Sequence, residues 1–133
     1  MNASTDSDFL EHTPMRAILG IPAEVLDEAM AQAWKLYQAG RYHDAEILCR
    51  GLLAADHRYW WAYSLYAAVL KRHGRLREAL VQIEAGLRYE PGQPKLLAMR
   101  ADIARIVKDF GAKMAAARAL ATATPVVAQP EVR

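Results

Sequence analysis

The side chains that could do chemistry in this 133-residue chain are four histidines, one cysteine and a few neighbouring carboxylates. Histidines at ligand spacing would bind a transition metal, and a thiolate beside a histidine would be a nucleophile. Neither chemistry has the spacing it needs. His12, His43, His57 and His73 share no metal-ligand pattern, and Cys49 has no second cysteine. No glycine-rich phosphate loop and no GxSxG elbow occurs. Asp27 and Glu28 are adjacent carboxylates on a predicted helix, where a solvated face is the plain reading. These residues argue for no catalysis, no metal and no cofactor, and so for a protein that binds.

The chemistry left over is recognition. Met30, Trp34 and Tyr37 recur at i, i+4 and i+7, and Trp61, Ser64, Ala68, Lys71 and Arg72 fall on one face of a later helix. Lys95 and Arg105 occupy the matching face further on. Together they describe a surface that is aromatic at its N-terminal end and basic at the other. Aromatic anchors carry much of the energy of peptide binding, and lysine or arginine can take a carboxylate. The adjacent Trp60 and Trp61 are expected to put rings on two helix faces at once. The alternative is that Trp34 and Trp61 fill space between packed units.

The elements that must position this surface are set by a period. LYQAGRYHDAEILCRGLLAADHR, from Leu36 to Arg58, returns as LKRHGRLREALVQIEAGLRYEPG, from Leu70 to Gly92. Gly40 matches Gly74, Arg41 matches Arg75, Ala45 matches Ala79 and Leu53 matches Leu87, while Ala33 leads to Ala67 and then Ala101. A 34-residue helix–turn–helix period is the signature of tetratricopeptide repeats. Each matched position has a job: the glycines turn the chain just past a helix end, and the alanines let helices cross closely. The expected fold is all-α, a right-handed superhelix of two full repeats plus a degenerate capping third. Helices are predicted over 23–39, 42–55, 59–73, 76–89, 95–107 and 110–121. Leu26, Ala29, Ala33 and Leu36 form the core stripe of the first, and Leu97, Ala101 and Ala104 that of the fifth. Stacked first helices line the inner surface of such an array, which is where the recognition residues fall.

The third repeat is degraded, with Lys108 at the glycine position and Lys113 at the helix-crossing alanine. Residues 1–22 are expected to form a polar tail and a short apolar segment, 23–121 the repeat domain, and 122–133 a disordered tail. The apolar segment around Ile18, Leu19 and Ile21 either caps the first helix or makes a homodimer contact. No n-region precedes an apolar stretch, and no apolar run reaches the ~18 residues of a membrane helix, so no membrane insertion is expected. Cys49 without a partner suits a reducing cytoplasm and sits at core spacing. A formal net charge of +2 is too small to imply nucleic acid,. The basic cluster KRHGRLR, from Lys71 to Arg77, straddles a turn and has no interleaved aromatics, which favours a solvated turn over a nucleic-acid patch.

The first repeat carries a more specific pattern. Tyr37, Gln38, Gly40, Tyr42, Asp44, Ala45, Leu52, Asp56 and His57 fit YQxGxYxDAxxxFxxLxxxDH, and in this the chain resembles the class II chaperones of type III secretion systems. The resemblance spans roughly Val25 to Ile106. It implies a cytosolic chaperone that holds an export client, a translocator or a needle subunit, as an extended segment in the groove of Met30, Trp34, Tyr37 and Trp61. The chain departs from that family in being slightly basic and in its truncated third repeat. A generic repeat scaffold unrelated to secretion is the alternative. A nucleic-acid adaptor and a self-assembling module are further readings.

Overall fold

The computed structural model describes residues 12–123; the expected polar tail and most of the expected C-terminal tail lie outside them. Six helices are found among the described residues, and no strand. They are α1 (Met15–Ile18), α2 (Ala23–Gln38), α3 (Tyr42–Ala55), α4 (Trp60–Arg72), α5 (Leu76–Tyr89) and α6 (Pro94–Ala123). The chain divides into two compact units between Arg100 and Ala101. The first unit holds α1–α5 and the opening turns of α6; the second holds the rest of α6.

Helix ends follow from a few residues. Pro22 sits extended at φ −63° and ψ 148° ahead of α2, where a missing amide donor costs nothing,. Gly40 then ends α2 with φ 79°. Its amide donates to Tyr37 O, and the Arg41 amide donates to Leu36 O at 2.9 Å, the paired bonds of a Schellman turn,. Gly74 repeats this after α4, its φ 72°, with Arg75 N–H to Leu70 O at 2.9 Å. The residue after each glycine has a second role. Arg41 pairs with Asp44 at 2.6 Å, and Arg75 pairs with Glu78. Each arginine stands just before a helix and holds a carboxylate in its first turn, where the helix dipole also favours negative charge. The matched arginines are thus part of the turn, a role the period did not specify.

The hairpins α2–α3 and α4–α5 pack through the small residues that the period marked. Ala33, Ala45, Ala67 and Ala79 are fully buried, as are Cys49, Leu70, Ile83 and Leu96. α4 touches α2, α3 and α5, and eight of its residues, from Ala62 to Leu70, are buried. Burial, followed by the neighbouring Glu46 carboxylate, pushes the Cys49 thiol up to about 12, so it stays protonated and is a core group rather than a nucleophile,. Glu46 is itself buried between the repeats. It accepts from Arg50 at 3.0 Å and pairs with Arg75 at 3.5 Å, while Arg50 Nε donates to the Tyr66 hydroxyl. A charge removed from water needs this much company.

Two expectations fail. The fifth and sixth predicted helices are one, α6, which runs unbroken through Lys108 and includes Thr122 and Ala123. Lys108 offers no positive-φ residue where the earlier repeats have glycine, and its neighbours all tolerate a helix, so nothing stops the helix there. With no helix folded back, the core stripe of the third unit also moves. Ala101 and Ala104 are exposed, and Leu96 and Ile103 are buried instead.

The N-terminal apolar segment is only partly covered within one chain, with Ile21 half-buried. Ile18 is 45% and Leu19 65% exposed. A helix of four residues is too short to present an apolar stripe. Its attachment is polar: Arg16 Nε donates to Asp56 Oδ2 at 3.0 Å, and Asp56 Oδ1 also accepts the Arg58 amide.

Candidate functional site

The 3.6-residue turn puts residues three and four apart on one side of a helix. On α2 this aligns Asp27, Met30, Ala31, Trp34 and Tyr37; on α4 it aligns Trp61, Ser64, Leu65 and Ala68; on α6 it aligns Lys95 with Met99. These residues, with Tyr59, line a groove of about 600 Å³ in the first unit. Leu26 and Ala33, on the other side of α2, are buried. One helix therefore serves the core with one stripe and the groove with the next.

The groove is walled by rings. Trp34 and Tyr37 stack with centroids 5.6 Å apart. Trp61 is stacked on Trp60 at 3.9 Å with 26° between planes, so these adjacent rings lie together and do not occupy two helix faces. Trp34 and Trp61 are 43% and 44% exposed, which places them at the surface of the groove and not between packed units. Ser64 is buried, and its Oγ donates to the Trp61 carbonyl at 2.7 Å, which steadies the turn that carries the indole. Lys95 Nζ lies 5.7 Å from the Trp34 ring centre and 5.3 Å from that of Trp61. Both distances are within reach of a cation–π attraction. Across the groove, the Tyr59 hydroxyl donates to Asp27 Oδ1 at 2.7 Å. Burial first, and then this carboxylate, pushes the Tyr59 phenol up, so it remains a donor at any ordinary pH,.

Seven of the predicted residues thus come together: Met30, Trp34, Tyr37, Trp61, Ser64, Ala68 and Lys95. Two cations of the expected basic end, both in the first unit, are not among them. Lys71 and Arg72 are not in the lining, and the Arg72 guanidinium stands over the Tyr42 ring at 5.3 Å. Arg105, in the second unit, is paired with Asp102. Apart from Tyr59, the lining residues that spacing missed were marked by the repeat itself. Asp27, Trp61 and Lys95 occupy one repeat position, and Ala31, Leu65 and Met99 another. Carrying the register of Trp61 back by one repeat would have moved Asp27 from a solvated face to the groove.

Among the described residues no cluster of histidine, cysteine or carboxylate could hold a metal ion, and no helix is long and apolar enough to cross a membrane.

The fold has relatives among solved structures. The type III secretion translocator chaperone SycD of Yersinia enterocolitica matches with a TM-score of 0.65 and 20% identity, over 68% of this chain and 67% of that one. A second SycD structure, described as an alternative dimer, matches at 0.59 and 23%, over 62% and 63%. A chain of a T3SS complex from Aeromonas hydrophila matches at 0.70 and 18%, over 96% and 87%. At these identities the likeness is one of fold, and it falls on the family that the Tyr37–His57 pattern resembles. No curated protein sequence matches the chain. The tetratricopeptide repeat family model matches residues 36–103, about half of the chain and both glycine turns. The chain belongs to the tetratricopeptide repeat family.

Proposed function

We propose that the protein is a cytoplasmic chaperone of a type III secretion system that holds an extended segment of an export client, a translocator or a needle subunit, in the groove of α2, α4 and α6. The observation that carries this reading is the wall of half-exposed rings. Two indoles left in water forgo on the order of 1.5–3 kcal/mol each of available burial, and contiguous exposed apolar surface marks interaction sites in water-facing proteins. The fold likeness to SycD supports the choice of secretion over a generic repeat scaffold.

Trp34→Ala and Tyr37→Ala are each expected to weaken client binding by about 2 kcal/mol or more, near thirtyfold, with the helical signal intact. Titration calorimetry with the co-purified client, beside circular dichroism, reads both. Full affinity in both variants removes the groove from the account, and lost affinity with a collapsed spectrum would make these rings structural. Arg72→Glu should change little, because Arg72 is outside the groove. A co-purified client with no export role would favour the scaffold reading.

The second proposed partner is another copy of the chain, through the N-terminal segment. Met15, Ile18 and Leu19 are uncovered within one chain, and a second copy would shelter them. Removing residues 1–22 is then expected to halve the mass seen by light scattering. An unchanged mass would leave the segment without that role.

A further inference from the structure

We infer that the groove selects client segments carrying a carboxylate next to their apolar anchor, and that Lys95 is the residue that reads it. The inference rests on the groove reading above and adds the chemistry of what the groove accepts.

The sequence suggests that charge selection belongs at a basic end, spread over Lys71, Arg72, Lys95 and Arg105. The structure gives these four different surroundings. Lys71 and Arg72 do not line the groove, and Arg105 is bound to its own carboxylate, Asp102. Lys95 is left as the basic residue of the lining, and it stands at the aromatic end. Its ammonium is held between two ring systems, 5.3 Å from the centre of Trp61 and 5.7 Å from that of Trp34. The ring faces attract the cation but accept none of its N–H bonds in the way an oxygen would, so its donors remain available. No carboxylate partner for Lys95 occurs among the described residues. The acidic residue of the lining, Asp27, is engaged by the Tyr59 hydroxyl instead.

Three consequences follow. A cation already positioned by two indoles loses less freedom on binding than a free lysine, so more of the pairing energy appears as affinity. Because Lys95 and the two indoles are exposed, the pairing has the modest strength of a surface ion pair and is open to screening by salt,. And because one ammonium touches both indoles, the carboxylate it binds must flank the very side chain that covers those rings. The client is therefore recognised by an anchor and an acid together, and an anchor flanked by a neutral or basic residue should bind less well.

The probe is a short fluorescent peptide with leucine and phenylalanine anchors and one variable position beside the central anchor, made with Glu, Gln or Lys. Anisotropy titrations against the full chain are expected to give the Glu peptide about fivefold tighter binding than the Gln peptide. The advantage should shrink in high salt. Lys95→Met should abolish the Glu-over-Gln preference, read as a ratio of the two affinities measured on the same variant, and Lys95→Arg should keep it, with circular dichroism checking the fold of both variants. Equal binding of the three peptides overturns the charge selection and leaves the groove standing. A Glu preference that survives Lys95→Met, or a preference for the Lys peptide, also overturns it, the latter pointing to Asp27 as the reader. If no peptide binds the parent protein, the groove reading fails and takes this inference with it.

Discussion

The Ala79→Arg variant is expected to lose about 3–5 kcal/mol of stability, enough to leave much of the population unfolded at moderate temperature. Ala79 is fully buried near the start of α5, where the hairpin helices cross, and Ala45 holds the same place in the preceding repeat with the same burial. Two costs arrive together. The crossing has no room for a long side chain, which forces helices apart or side chains off their rotamers. The guanidinium would also be taken out of water at a position that is now fully buried,. Urea unfolding followed by circular dichroism measures the loss. A midpoint equal to the parent's would mean that Ala79 is not at a helix crossing, and the repeat register would have to be redrawn.

Ile83→Ala should cost about 2–5 kcal/mol, whereas Val81→Ala, two residues away on the same helix, should cost no more than about 0.5. Ile83 is 0% exposed and Val81 57%. The large residue leaves a cavity that surrounding helices cannot easily collapse into; the other trims a methyl pair already in water. Paired thermal melts test the contrast. Similar losses in both variants would mean that α5 is rotated from the orientation described.

The architecture was largely written in the spacing of small residues. Gly40, Gly74, Ala33, Ala45, Ala67 and Ala79 announce two hairpins, because a turn with positive φ and a close crossing each tolerate few residue types,. The aromatic part of the groove was legible too, since Met30, Trp34 and Tyr37 form a stripe that the core stripe of α2 does not use. Less legible was anything decided by an absence. Lys108 fails to form a turn, but a missing stop signal looks the same on the page whether the helix bends weakly there or runs on. The address of each cation was also hidden. Lys71, Arg72, Lys95 and Arg105 are alike as residue types, and their flexible stems let a ring or a neighbouring carboxylate decide where each charge ends up,. Trp60 and Trp61 misled for a related reason: a helical step of 100° separates their Cα–Cβ bonds, yet two side-chain torsions suffice to stack the rings,.

The unbroken run of α6 through Lys108 has a consequence for how such a chain could grow. Repeat arrays lengthen when a whole unit is duplicated, and the new unit docks only if the old end can turn back and receive it. Here the two positions that would permit it, one for the turn and one for the close crossing, are both lysines, Lys108 and Lys113. A copied unit appended after α6 would find a continuous helix in place of a hairpin, with no returning helix to dock on,. A docked further repeat would need a residue that tolerates positive φ at 108 and a small one at 113, so the two lysines work against it,.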